Sequence, residues 1–202
     1  LEGVVINALA GNDIIKGTGI FNYGRIKTGD GKDTITGTGS GILNYGTIDT
    51  GDGNDIIKGT GIVNNGTIKT GDGKDTITGT GTGIHNNGTI NTGDGNDTIT
   101  GTGTGIYNMK NGTINTGAGN DTITGTGIVN HGTIKTGDGK DTITGTGTGT
   151  GIYNMENGTI NTGAGNDTIK GTGTGTDTGT GIFNYGTINT GAGNDIIKGT
   201  GT

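Results

Sequence analysis

Nine aspartates return in one setting along this chain: Asp13, Asp33, Asp55, Asp75, Asp97, Asp121, Asp141, Asp167 and Asp195. Each closes a short turn, typified by TGAGND at 116–121, and from Asp33 onward glycines stand four and two residues before the acid. Glycine permits a tight, partly left-handed turn whose carbonyls face a common point. Carbonyls plus a carboxylate make an all-oxygen cage. Ca²⁺ takes six to eight such ligands at ~2.3–2.6 Å, whereas zinc or copper would draw on His or Cys. Cys is absent, which excludes disulfides and thiolate metal sites. If the carboxylates stack in register, neighbours repel by roughly 1 kcal/mol per pair in water and by more when partly buried, so the stack needs counterions.

The candidate ligands are therefore the nine aspartates with Gly29, Gly31, Gly51, Gly53, Gly71, Gly73, Gly93, Gly95, Gly117, Gly119, Gly137, Gly139, Gly163, Gly165, Gly191 and Gly193. The plainer alternative is a set of ordinary Gly-Asp turns in a low-complexity chain. Asp30, Asp52, Asp72, Asp94 and Asp138, at the third turn position, give way to Ala in other turns and read as solvated charge. Lys32, Lys74 and Lys140 each follow one of these acids by two residues and form candidate exposed pairs of ~0–1 kcal/mol.

The spacing of the acids sets the elements that must carry them. Successive intervals are 20, 22, 20, 22, 24, 20, 26 and 28 residues, the period of a solenoid whose coils bury their apolar face only by stacking. Every interval is even. Strand side chains alternate faces with period two, so an odd insertion would turn the following strand inside out. Leu, Ile, Val and Phe fall just under the ~20% level typical of disordered chains, and order must come from repetition.

The unit beginning at Asp55, DIIKGTGIVNNGTIKTGDGKD, carries Ile57, Ile62 and Ile68, which predict three short strands and three inward columns of Ile. Coils would lie ~4.7–4.9 Å apart. Asn22, Asn44, Asn64, Asn86, Asn130 and Asn184 share the inward face, as a buried amide ladder or, alternatively, as solvated turn residues. Extra residues enter as Thr-Gly runs, from GTG at 59–61 to GTGTGTDTGTG at 171–181, and as Met109-Lys110 and Met155-Glu156. With Gly inward and Thr outward, a run can lengthen as a lateral fin without enlarging the core. The fold expected is an all-β, right-handed parallel β-solenoid in a single domain, with about nine coils of 20–28 residues and three short strands each.

GAGNDTI at 117–123, GDGKDTI at 71–77 and GAGNDII at 191–197 resemble the hemolysin-type calcium-binding repeat of RTX proteins, whose nonapeptide is G-G-x-G-x-D-x-U-x with U a large apolar residue. The resemblance implies Ca²⁺ held between turns of successive coils, secretion to a calcium-rich exterior, and disorder until calcium is met. The first Gly of the nonapeptide is Thr here (Thr28, Thr50, Thr70, Thr92, Thr116, Thr136, Thr162 and Thr190). In the first turn, ALAGND, the second Gly is also lost, to Leu9, which marks the Asp13 turn as the one expected to be distorted or empty. One calcium turn per coil implies a single row of at most eight ions between the nine turns, similar to one-sided RTX solenoids of large bacterial surface adhesins, some of which bind ice.

Net charge is −6, which disfavours nucleic acid and anionic membrane as partners, and no stretch approaches the ~20 apolar residues of a membrane span. The chain begins and stops in mid-pattern, so continuation into further repeats or end-to-end association is expected. Thr76, Thr78, Thr98, Thr100, Thr122, Thr124, Thr142 and Thr144 would form a flat outward array on four consecutive coils, a candidate surface for ice, polysaccharide or another solid. Lys16, Lys58, Lys170 and Lys198 interrupt the same column. His85 and His131 read as surface residues. Asp49, Glu156 and Asp177 are scattered acids with no catalytic grouping, so an enzyme is not expected, although the chain could be the calcium-binding module of a secreted one. The reading that results is an extracellular, calcium-stiffened rod, spacer or adhesive fibre component.

Overall fold

The computed structural model describes residues 5–175 and 179–201, so Asp177 lies outside the described residues. Among these there are 22 strands and no helix. Every pairing is parallel and joins equivalent residues of successive coils, which makes the chain an all-β parallel solenoid. One sheet stacks nine short strands, from Val5–Asn7 to Thr187–Asn189, and so bounds eight complete coils.

The three Ile columns form as the periodicity predicts. Ile57, Ile62 and Ile68 and their equivalents in the central coils are fully buried, and the core contains only Ile. The outward residues between them remain partly exposed. Three short strands per coil hold only in the later coils. In the earlier ones the first two strands fuse into a single strand, as in Ile14–Asn22, Thr34–Asn44, Ile56–Asn64 and Thr76–Asn86. In the fused strands the ladder resumes immediately across the base of the run, with only a register shift between pairs such as Gly59–Gly79 and Gly61–Gly83, whereas Thr98–Gly101 stops at the base.

The runs are fins with a common base. A side-chain carbon on Gly37 would lie 2.3 Å from the Gly41 carbonyl oxygen, and the same pinch joins Gly101 to Gly105 (2.4 Å), Gly145 to Gly151 (2.0 Å) and Gly171 to Gly181 (1.9 Å). The two legs therefore touch at the same glycine pair whatever the length beyond it. Only glycine leaves room for so close a backbone approach.

The Asn ladder is continuous, and it is buried from Asn22 to Asn154, with Asn184 of the last coil exposed. Asn22 Nδ2 donates to Asn44 Oδ1 at 2.7 Å, and the chain of bonds passes through Asn64, Asn86, Asn108, Asn130 and Asn154 to Asn184 at 2.8–2.9 Å. Asn108 and Asn154, beside the Met insertions, belong to it although the sequence reading omitted them. The same Nδ2 groups also donate to backbone carbonyls such as Thr47 O, so the buried amides are satisfied.

Candidate calcium site

The turn residues stack as tightly as the strands. At the fourth position the N–H donates to the third-position carbonyl of the next coil, as in Gly31 to Asp52 (2.8 Å) and Gly95 to Ala118 (2.7 Å). That bond uses backbone only, so Asp or Ala serves equally at the third position. The glycines that flank it all have positive φ, for example Gly73 at 150° and Gly93 at 88°. A Cβ on Gly73 would lie 1.5 Å from the Gly53 carbonyl oxygen, which excludes any other residue. Among the described residues no N–H or O–H donates to the carbonyls of these turn glycines. They are oxygen donors facing the next turn without a hydrogen-bond partner.

The aspartates supply the charged part. From Asp33 to Asp167 the side chains are 0–1% exposed. One carboxylate oxygen is fully engaged: Asp33 N–H donates to Asp55 Oδ1 at 2.8 Å, Asp75 N–H to Asp97 Oδ1 at 2.9 Å, and Asp167 N–H to Asp195 Oδ1 at 3.0 Å. The other oxygen is not. Oδ2 of Asp13, Asp33, Asp55, Asp75, Asp97, Asp121, Asp141 and Asp167 is buried with no hydrogen-bond partner. A buried charged oxygen left unsatisfied is costly, and eight in one row call for a common partner.

The acidities reflect the same strain. Burial pushes the Asp75 and Asp121 carboxyls up to about 7 and those of Asp55 and Asp97 up to about 6, and it raises Asp141 in the same direction. The Thr hydroxyl of the same turn lies close enough to oppose the rise but spends its proton on the Thr carbonyl one coil on, as Thr50 to Thr70 at 3.3 Å, so the opposition falls to the N–H of the preceding aspartate, and neighbouring carboxylates add to the rise. Without a counterion the row favours protons.

The donors fit a hard divalent cation. One unpaired carboxylate oxygen per turn and unpaired glycine carbonyls form an all-oxygen set, and among the described residues no three His, Asp or Glu side chains converge as a side-chain cage would require. Ca²⁺ bound there would be held by the motif aspartates and the carbonyls of the paired glycines. The ion would neutralise Oδ2 and relieve the repulsion along the row.

The family comparison agrees with the geometry. Residues 47–61, 86–103, 110–127, 154–178 and 187–201 match the profile described as RTX calcium-binding nonapeptide repeat (4 copies). The chain carries RTX calcium-binding nonapeptide repeats. No curated protein and no solved structure matches it. The matched segments contain the turns ending in Asp55, Asp97, Asp121, Asp167 and Asp195, all with Asn at the fifth position. The RTX turns outside those segments end in Asp33, Asp75 and Asp141, with Lys there, and in Asp13. The Lys turns nonetheless have the same glycine conformations and the same unpaired Oδ2.

Three features of the site escaped the sequence reading. The Thr that replaces the first family Gly is buried, and its hydroxyl donates to the Thr carbonyl one coil on, Thr28 to Thr50 at 3.2 Å. The fifth-position Asn caps its neighbour: Asn54 Oδ1 accepts from Lys74 N–H at 2.8 Å. The Asp13 turn keeps the common backbone, with Gly11 N–H bonded to Asp30 O at 2.8 Å and Leu9 held at φ 70°, the one non-glycine residue with positive φ among the described residues. The distortion expected there is thus confined to strain in Leu9, ~1–2 kcal/mol for an L-residue in that region. The expected Lys–Asp pairs do not close, and the ion pair among the described residues is Arg25–Asp49 at 2.8 Å. Asp72 instead accepts from Asp94 N–H at 3.3 Å.

Proposed function

We propose that this RTX chain is an extracellular structural rod, a spacer or adhesive fibre component that folds and stiffens when a row of Ca²⁺ fills its turns. The row of eight unpaired carboxylate oxygens carries this reading. A core made of Ile alone is thin, and the charged row beside it opposes stacking until it is neutralised. Ile14, Ile196 and Ile197 of the outer coils are exposed, and end-to-end association or further repeats would cover them. Far-ultraviolet circular dichroism tests the reading. At pH 8 little structure is expected in chelator and a β spectrum at millimolar Ca²⁺, and identical spectra would overturn it.

Ice binding is a second reading, supported by the register of the threonines. Thr76, Thr98, Thr122 and Thr142 are direct neighbours across the sheet, as are Thr78, Thr100, Thr124 and Thr144. Rows ~4.8 Å apart with side chains ~6.8 Å apart along each strand offer a regular template for ordered water. Thermal hysteresis is expected for the calcium-loaded chain and its loss in Thr98→Lys; absence of hysteresis removes this reading and leaves the rod.

A further inference from the structure

Every aromatic side chain of the protein lies on one strip. The five Tyr and two Phe, with both His and both Met, occupy the outward positions on either side of the buried Asn ladder. The other outward strand positions carry mainly Thr, Lys, Asn and Asp, as in Thr67–Lys69 and Thr98–Gly101, with Arg25 and the aliphatic Val5, Ile14, Ile56 and Ile196 as exceptions. The strip has three clusters. Counting coils by the ladder from Asn22 to Asn184, Phe21, Tyr23 and Tyr45 sit on the first two, and Tyr23 and Tyr45 stack at 5.0 Å and 6°. In the middle, Tyr107 packs between His85 at 5.9 Å and His131 at 5.4 Å, and its hydroxyl lies 3.1 Å from His131 Nε2. On the last two coils Phe183 packs against Tyr153 at 5.2 Å and Tyr185 at 4.8 Å.

We propose that this strip is the seam along which two copies of the calcium-loaded rod pair side by side and antiparallel. The proposal rests on the calcium-dependent fold argued above. Area, charge, ring orientation and spacing favour a second copy as the occupant.

Phe21 is 61% exposed, Tyr23 50%, Tyr45 50%, Tyr107 36%, Phe183 38% and Tyr185 62%. At about 150–250 Å² for a fully buried ring, covering what these six leave exposed removes roughly 450–750 Å². The half-buried Leu43, Val63 and Val129 lie between the clusters, and at the upper end of that range the strip approaches the ~800 Å² per partner of a stable interface.

Lys110 and Glu156 are its only permanently charged residues. The net charge of −6 is therefore carried almost entirely by the other faces, and the strip opposes pairing least.

Tyr23 with Tyr45 and His85 with Tyr107 stack along the rod, so their rims face outward, whereas Phe183 meets Tyr153 and Tyr185 edge to face. Outward rims of the stacked pairs can interdigitate with a second set of rings. The middle cluster lies nearer the last cluster than the first, and a two-fold axis midway along the ladder, between Asn86 and Asn108, sets the first two coils against the last two and His85 against Tyr107. This is the self-complementarity an isologous dimer requires.

Sedimentation velocity of the 202-residue chain in Ca²⁺, with circular dichroism on the same samples, tests the pairing. A monomer–dimer equilibrium is expected that is kept or strengthened in 0.5 M NaCl. Tyr45→Lys and, more conservatively, Tyr45→Ser should weaken it at least tenfold with an unchanged calcium-loaded spectrum, while Thr98→Lys leaves it intact. A folded monomer at all concentrations overturns the pairing alone, and a chain unfolded in Ca²⁺ overturns the calcium reading and the pairing with it. An open-ended series of larger species indifferent to Tyr45 would assign association to the rod ends and overturn the seam. So would a monomer that neutral glycan or phosphatidylcholine vesicles retain through Tyr45.

Discussion

The turn edge and the Thr-Gly edge of each coil are built from the same small residues and behave in opposite ways. At the turn, Thr to Asp spans six positions in every coil from Thr28 onward, and every motif glycine is blocked, with a Cβ falling 1.4–2.2 Å from the carbonyl oxygen of the neighbouring coil. At the fin, the run between paired glycines grows from one residue at Thr60 to nine at 172–180 with no change at the base. The difference follows from what each edge must hold. Each turn has to stack backbone on backbone with the next, N–H to carbonyl and glycine against glycine, which fixes length and conformation together; the fin has to return the chain only to its starting pair.

A single methyl group should separate the two edges most sharply. Gly95→Ala places Cβ 1.5 Å from the Gly73 carbonyl oxygen at φ 150°, so both the stacking and the conformation must give way. A loss on the order of 3 kcal/mol or more is expected, since severe clash and forbidden backbone act at once. Gly149→Ala meets nothing within 4 Å at the tip of a fin. Its effect should stay within about 0.5 kcal/mol. Urea unfolding of both variants in saturating Ca²⁺ measures the contrast, and equal losses would erase the distinction between the edges.

The next largest effect concerns pH without calcium, which acts on the turn edge alone. Burial raises the folded pKa of Asp75 and Asp121 to about 7 and of Asp55 and Asp97 to about 6, above the ~3.9 of an unfolded aspartate. A raised folded pKa means the folded state holds protons more tightly. The stability this contributes is therefore fully present below about pH 4 and is lost as pH rises through 6 to 7. In chelator the β signal should be strongest in mild acid and fade by pH 8, and calcium should restore it there by replacing the protons. A calcium-free chain more stable at pH 8 than at pH 5 would show that the carboxylates are not buried together.

Most of this architecture was legible because two periodicities coincide. Even intervals between aspartates preserved the inward phase of Ile57, Ile62 and Ile68, and the turn glycines marked where the coil closes. What stayed hidden depended on interactions between coils, which a linear pattern does not display. Asn108 and Asn154 are followed by insertions that disguise the bend, yet Met109 O and Met155 O accept from Gly112 and Gly158 N–H at 2.8 Å and leave the ladder in place. Thr at the first turn position looked like a lapse from the family pattern, and its value emerges only when Thr28 reaches Thr50. The Lys–Asp pairs failed for the same reason: Asp72 accepts from the backbone of the coil beside it rather than from Lys74. Strand number was misjudged where the ladder resumes across the base of a Thr-Gly run, since the residues are alike whether or not it does so.

Shortening a fin should produce the smallest effect. Deleting Thr148 and Gly149 together reduces the run at 145–151 to the length already present at 79–83 and 101–105, and Gly145 can still close on Gly151. Loop-closure entropy changes by well under about 1 kcal/mol for so few residues. Unfolding in Ca²⁺ should therefore shift by less than that. Deleting Gly149 alone removes fewer atoms and should cost more, because an odd count puts the returning leg out of phase and Ile152 can reach the core only if the fin kinks. If the two deletions cost the same, parity does not govern this edge, and the even intervals between the aspartates need another cause.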